Sequence, residues 1–506
     1  MMGVGLFNGA DWSVIGIYLA GIIGLGLWFG KDQRTTRDYF LGSKNIPWWG
    51  IGFSIVAAET SALTIISVPA MAYGGNISFI QIVIGYVIGR IILAIVMVPH
   101  YLKGEIYSPY QLLEGAFGPS ARKLAGGFFL ISETLAAGVR VYVASIPLKL
   151  MFGEKVLSIG TGDPIFGAIL VFVIFSLLYT YIGGVKAVIW TDAVQFALFM
   201  GGGIFTLFYI PTLLDGGFAG AFEKAAAGGK LSWFTPAFSF SMPFNIWMGL
   251  IGGTFVVLSS HGAEQLIVQR VLTCKNVADG RKALILSTVM MFPLFLIFLL
   301  VGALLWVFYQ AHEIPIKGQP NDYIYPIFMM TSVPHVLKGS LIVAILAAAM
   351  SSVSSALTSL ASVSTMDFVK GLMRSARSEE FHLRFSKYST LFWAGALILV
   401  AYLSRRVDYV FNAAFSLRGL TSGALLGGLL LVLFWRKGKP LPVFVGMIGS
   451  FLAMILISRL EWADSTGARF KIAWPWYTLI GTSITMGSAW TTRLLWTANR
   501  KLTESK

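Results

Sequence analysis

Uncharged apolar runs of about eighteen residues or more recur along this chain, and they constrain its fold more than any other feature. A run of that length crosses the roughly 30 Å hydrocarbon core as a helix, at about 1.5 Å per residue. Barrel strands are excluded, because they are shorter and alternate in polarity. With 56% hydrophobic and 12% charged residues among 506, the chain reads as an all-α polytopic membrane protein. Thirteen spans are expected, near residues 12–30, 46–73, 77–101, 125–151, 164–182, 190–211, 244–262, 283–309, 337–365, 389–403, 410–435, 442–458 and 474–492. Lys and Arg collect in alternate loops: Lys31, Arg34, Arg37 and Lys44; Lys103, Arg122 and Lys123; Arg270, Lys275, Arg281 and Lys282; Lys370, Arg374, Arg377, Arg384 and Lys387. The positive-inside rule then puts the N-terminus outside and the C-terminus inside. The net charge of +15 is thereby explained by topology, not by nucleic-acid binding. The single cysteine, Cys274, excludes an internal disulfide, and the full-length first run reads as a span, not a cleavable signal.

One span is unusual. Residues 344–365 are apolar enough to cross a membrane, yet carry nine hydroxyls from Ser351 onward. Ser351, Ser354, Ser355 and Thr358 recur at i, i+3, i+4 and i+7, one face of a helix. Small residues of this kind permit close helix packing, with hydroxyls bonded back to carbonyls one turn earlier. They are also hard oxygen ligands suited to an alkali cation. The rest of the chain favours the cation. The second and seventh spans are both glycine-laced and interrupted by small polar residues, near 57–61 and 256–262, about 200 residues apart. Five spans start at each interruption, so an odd number per half turns the second half upside down. Paired broken helices of this kind mark a mid-membrane site in a secondary transporter, where unwound carbonyls and helix ends become available.

The residues Asp38-Tyr39-Phe40-Leu41-Gly42 with Pro47-Trp48-Trp49, the stretch from Gly183-Gly184-Val185-Lys186 to Trp190-Thr191-Asp192, the segment Glu264-Gln265-Leu266-Ile267-Val268-Gln269-Arg270, and the serine ladder before Met366-Asp367 together resemble the sodium:solute symporter family. The resemblance implies a LeuT-type core of two inverted five-helix repeats. It divides the chain into an extra helix and inner loop (1–45), a first repeat (46–212), an outer loop (213–243), a second repeat (244–435) and two C-terminal helices with a tail (436–506). It also implies a cell-membrane symporter with Na+ as coupling ion, no organic cofactor and a small-molecule substrate. The family's common sodium site matches Ala57, Thr60, Ala348, Ser351 and Ser352. A second sodium found in members resembling sialic-acid symporters matches Asp192, Ser351, Ser354 and Ser355; Asp192 also reads as a plain helix N-cap.

Arg140 lies deep in an apolar span, where a charge needs a partner or a cavity. In the sialic-acid group the matching arginine holds the substrate carboxylate, which a guanidinium fork suits. An internal pair with Glu133 or Glu59 is the other reading. Ser61, Thr64, Phe79 and Gln81 fall at or beside substrate-contact positions of similar symporters. His261 lies in the second interruption, as a ligand or a packed cap. Arg418 is a further buried cation with no secure match, and Arg90 reads as snorkelling or paired. Glu59 departs from the uncharged residue usual in relatives, which leaves open a proton role or a charge balance with Arg140. No nucleophile–base pair, phosphate loop or metal-ligand cluster is visible in the sequence, so no enzyme is expected. The expectation is a sodium-coupled importer of a small polar solute, an anion such as an acidic sugar, with a neutral sugar or polyol, or a transporter-like sensor, as alternatives.

Overall fold

The structure, a computed structural model, describes residues 7–31, 34–158, 162–314, 321–370, 378–406, 410–435, 437–463 and 469–504. Arg374 and Arg377, counted above among the loop cations, fall outside them. The helices that build the core are α1 (Gly9–Gly30), α2 (Trp48–Glu59), α3 (Ala62–Gly74), α4 (Ile80–Val96), α5 (Pro119–Leu157), α6 (Pro164–Thr212), α7 (Thr254–Gly262), α8 (Gln265–Leu272), α9 (Val277–Ala311), α10 (Leu337–Ser362), α11 (Glu379–Leu403), α12 (Val410–Trp435), α13 (Pro440–Arg459) and α14 (Tyr477–Glu504).

The serine helix α10 is the central column, buried along its whole apolar length, whereas α1 and α13 show most of their surface to the surroundings. It packs against α1, α2, α3, α5, α6 and α11. Its small residues permit that crowding, and several hydroxyls are satisfied within the helix: Ser354 donates to the Ser351 carbonyl at 3.0 Å and Ser359 to that of Ala356 at 3.0 Å. Close packing therefore accounts for part of the ladder.

The 49-residue α6 would run about 74 Å if straight, more than twice the thickness of the hydrocarbon. It does not run straight. Gly184, at φ 55° and ψ −158°, holds a conformation closed to residues with a Cβ and turns the chain back. Both limbs then lie along α1: Gly26 meets Tyr179 and Gly30 meets Ile182 on the first limb, while Tyr18 accepts a 3.0 Å hydrogen bond from Gln195 on the second. Among the described residues nine helices are long and apolar enough to cross a membrane, or ten with the bent pair α2–α3 counted as one span. The hairpin in α6, the short apolar stretch Met248–Gly262 and the more polar α14 lie where further spans are expected. The count of thirteen and the sidedness of the termini rest on the loop-charge argument.

The first interruption falls where the sequence suggests, with a 60° bend between α2 and α3. The second falls later than expected. The chain is a π-helix from Met248 to Gly253, stays helical through Gly262 and becomes extended only at Glu264 (φ −103°, ψ 131°). The glycines earlier in this span allow backbone contact: a methyl on Gly85 of α4 would collide with the Gly249 carbonyl.

α1 also caps the central column from outside it. The buried Asp11 carboxylate accepts from the Val336 amide at 2.8 Å and the Gly339 amide at 3.2 Å, and pairs with His335 at 2.5 Å. Val336 sits at φ 72°, strained for a β-branched residue. We expect Asp11→Ala to lower stability by about 1–2 kcal/mol through loss of this cap. Val336→Gly should relieve strain of about 1 kcal/mol against its entropic cost. Thermal unfolding of the purified variants checks both; an unchanged midpoint in Asp11→Ala would remove the cap from the account.

Candidate functional site

At the first interruption, a continuous helix would give the Ser61 amide to the Ala57 carbonyl and the Thr64 amide to that of Thr60. Here the Ser61 amide turns to the Thr64 hydroxyl at 3.4 Å, and the Thr64 amide to the Ser61 carbonyl at 2.9 Å. The Ala57 and Thr60 carbonyls are thereby released in a water-poor interior, where they need another partner. Ala348, Ser351 and Ser352 are buried on α10, which packs on both α2 and α3. Ser352 has no hydrogen-bond partner among the described residues, while the Ser351 hydroxyl is turned to Asp192.

Asp192 is not a helix cap. It lies within the second limb of α6, fully buried, and each of its oxygens is bound from another helix. Oδ1 accepts from Ser351 at 2.6 Å; Oδ2 accepts from Ser54 of α2 at 2.5 Å and from Arg270 of α8 at 3.0 Å. Arg270 also donates to Ser355, to Ser54 at 2.9 Å and to the Leu266 carbonyl at 2.6 Å. Counting Arg270 as a loop cation was therefore wrong. Its guanidinium is only 1% exposed because α8 folds inward after the second interruption and carries it to the serine face.

A partly open cavity, about 1050 Å³ of empty space with adjoining solvent included, lies between the two interruptions. Seven of the eight expected substrate residues line it: Glu59, Ser61, Thr64, Phe79, Arg140, His261 and Arg418. Gln81 does not. It is fully buried and ties the chain outside the cavity, donating to the Phe244 carbonyl at 2.6 Å and accepting from the Thr235 amide at 3.1 Å. Arg140 is 11% exposed; Nη2 pairs with Glu133 and Nε reaches the Ala136 carbonyl at 3.3 Å. Nη1 has no partner among the described residues. Glu59 pairs with Arg90, not with Arg140. Arg90 does not snorkel: it is wholly buried and also donates to the Ser287 carbonyl at 3.1 Å and to His261 Nε2 at 2.9 Å. A guanidinium only donates, so His261 accepts there. Its proton sits on Nδ1, 2.8 Å from the Ser260 hydroxyl. Arg418, the unassigned cation, pairs with Glu264 at the second interruption. Each of the two guanidiniums and two carboxylates in the cavity wall, Arg140, Arg418, Glu59 and Glu264, is thus in an ion pair.

The sequence profile of the Sodium:solute symporter family matches residues 39–449. The chain belongs to this family. It is a multi-pass, sodium-coupled symporter with the LeuT-type inverted-repeat fold. It is 29% identical over 460 residues to the sodium/sialic acid symporter SiaT of Proteus mirabilis, covering 89% of each chain. It is 27% identical over 464 residues to the sodium/glucose cotransporter of Vibrio parahaemolyticus, covering 87% of this chain and 83% of that one. A solved sodium-coupled sialic acid symporter, substrate-bound and outward-open, superposes with a TM-score of 0.85 at 28% identity, covering 97% of this chain and 98% of that one.

Sequence reasoning missed Tyr86, Ser260, Glu264, Ser422, Trp474 and Thr478 in the cavity wall. Trp474 and Thr478 precede and begin α14, a segment the repeat pattern leaves outside the core. Their apolar surroundings carry no polar signal that would mark them. Glu264 was visible only as part of a motif. The ion pairs make a direct prediction. Removing one partner of a buried pair costs about 3–5 kcal/mol, whereas neutralising both costs far less. Arg90→Gln should therefore unfold at a much lower temperature than Glu59→Gln/Arg90→Gln. Strictly additive midpoint shifts in a double-mutant cycle would show that the two groups do not act as a pair.

Proposed function

We propose that this symporter imports a polyhydroxylated acid of the sialic-acid kind across the cytoplasmic membrane, driven by two sodium ions. One observation carries the substrate reading: Arg140 keeps a free Nη1 in the cavity wall, and Glu59, 18% exposed there, keeps an oxygen free of partners among the described residues. A carboxylate suits the first and a hydroxyl or amide N–H suits the second. A simple monocarboxylate would leave Glu59 facing an apolar or anionic group without a donor, which is costly in a desolvated site. The sialic-acid symporters among its relatives agree with this reading. A neutral sugar is the second reading, and the Arg140–Glu133 pair favours it, because that arginine is already neutralised. The neutral oxygens proposed for the common sodium weigh toward the acid. These carbonyls and hydroxyls carry no charge, so a bound sodium leaves a positive charge that an anion in the adjoining cavity compensates.

Ala57, Thr60, Ala348, Ser351 and Ser352 hold the common sodium; Asp192 with Ser351, Ser354 and Ser355 holds the second. The similar solved symporter, which carries a novel Na+ site, supports a further ion. Uptake should require sodium, and Ser352→Ala should raise the sodium concentration for half-maximal uptake. Uptake that persists in choline would end the coupling claim. Arg140→Ala should abolish acid binding while sodium binding remains measurable, and Arg140→Lys should bind poorly for lack of a fork. Full affinity for the acid in Arg140→Ala, or preference for a neutral sugar over the acid in native protein, would hand the site to the second reading.

Stoichiometry has its own energetic signature. A tenfold sodium gradient supplies about 1.4 kcal/mol per ion, and 100 mV about 2.3 kcal/mol per net charge moved. One sodium with a monoanion moves no net charge and accumulates it about tenfold. Two sodium ions supply roughly 5 kcal/mol, enough for several thousandfold. We expect inward current with uptake and a sodium Hill coefficient above one that falls toward one in Asp192→Asn. Electroneutral uptake of a monoanion in proteoliposomes would confine the protein to one sodium.

A further inference from the structure

We propose that Arg270 is a tethered competitor for the second sodium, and that sodium arriving at Asp192 loosens the half-helix α8, which Arg270 ties to the scaffold. The inference rests on the second-sodium reading above. Its starting point is a collision of assignments: Asp192 and Ser355, two of the oxygens matched to that ion, are already hydrogen-bonded to one guanidinium nitrogen, Arg270 Nη2. A guanidinium and a sodium ion are both hard-pressed to share one buried carboxylate, since like charges at that separation repel strongly in a low dielectric.

The four contacts of Arg270 divide between two bodies. Asp192 lies on α6 and Ser355 on α10. Ser54 lies on α2, and the Leu266 carbonyl is on the arginine's own helix, α8. α2 and α8 are halves of the two broken helices, and both adjoin the basic loops. α8 also donates through Gln269 to the Phe40 carbonyl at 3.2 Å, just after the first basic loop. In folds of this type the broken-helix bundle moves against the rest. The boundary between the bodies therefore passes through this guanidinium. Sodium takes the scaffold side of its hydrogen bonds and leaves the half-helix side intact, so the arginine has partners to keep when it lets go.

The seat of α8 is also poorly satisfied apart from Arg270. Gln265 and Gln269 each donate through Nε2, but both side-chain carbonyl oxygens are buried without a partner among the described residues. A buried acceptor left unmade weakens the docked position. Besides apolar packing and the Gln265 bond to Ser362 of α10, Arg270 is the charged tie between α8 and the scaffold among the described residues. Losing it gives α8 reason to move.

Full-length protein in nanodiscs, titrated with sodium chloride against choline chloride at constant ionic strength, provides the test. Hydrogen exchange over residues 265–272 is the primary readout and needs no variant: sodium should increase it. The half-saturating sodium concentration, read by calorimetry, should fall on the order of tenfold in Arg270→Gln, which keeps a polar side chain but removes the charge. That variant should also show, without sodium, the exchange that native protein reaches only with it. Arg270→Lys, with a charge but no fork, should lie between. Exchange that is unchanged or slowed by sodium in native protein, or an unchanged half-saturating concentration in folded Arg270→Gln, would make Arg270 a fixed structural partner. Asp192→Asn separates the two failures. If it lowers the Hill coefficient while Arg270→Gln changes nothing, the competition fails alone. If native protein already binds with a coefficient of one, the second-sodium reading fails first.

Discussion

A charge inside a membrane protein has no water to fall back on, and the packing of this chain is organised by that constraint. Five carboxylates around the core each have a guanidinium partner: Glu59 with Arg90, Glu133 with Arg140, Glu264 with Arg418, Asp192 with Arg270, and Asp367 with Arg122. Four of these five pairs join different helices or segments, so pairing also sets which helices touch. Such pairs add little net stability over apolar packing, but breaking one leaves a charge uncompensated, which makes them strong determinants of register. The common sodium site proposed above follows the opposite rule. It would use released carbonyls and serine hydroxyls, so when empty it leaves no charge to be compensated.

The two roles weighed for the serine ladder prove to coexist on one helix. Ser354 and Ser359 bond back along α10 and permit it to be buried on all sides. Ser351 reaches out to Asp192, and Ser355, which also bonds back to the Ser351 carbonyl at 2.6 Å, accepts from Arg270. Close packing is what brings those helices within reach of the hydroxyls. The positions of these hydroxyls are therefore a product of the same small residues that build the column.

Spans, and the first interruption at residues 60–61, were legible because both depend on local composition: run length in one case, a short polar break in the other. The second interruption was placed too early, since the small polar residues Ser259, Ser260 and His261 that suggested it are accommodated within α7. Glu133, seven residues before Arg140 on the same helix, was legible as its partner, but partners on other helices were not. Glu59 and Arg90 are 31 residues apart, and Glu264 and Arg418 are 154 apart, with no periodicity to connect them. Arg270 was misread for a definite reason. The positive-inside rule counts cations near span ends, but it does not register that α8 turns back into the protein. Gln81 was placed in the site because it falls at or beside substrate-contact positions of similar symporters, and the fold turned its amide toward the chain around Thr235 and Phe244 instead.

The two proposed ion sites would differ in what filling them does to the charge of the interior. Sodium at the proposed common site would add a positive charge to a neutral set of oxygens, beside a cavity whose wall holds two guanidiniums, Arg140 and Arg418, and two carboxylates, Glu59 and Glu264. Its affinity would then rise when an anion enters that cavity, and by reciprocity the anion would bind better when sodium is present. Sodium at the proposed second site would arrive where a guanidinium already neutralises Asp192, so the displaced charge would be carried on α8 and need rehousing. The first site would tie sodium to cargo through electrostatics, with no need for the helices to move. The second would tie sodium to the position of a half-helix. A symporter needs both kinds of linkage, because mutual affinity alone would bind the pair without releasing it, and motion alone would leak sodium without cargo.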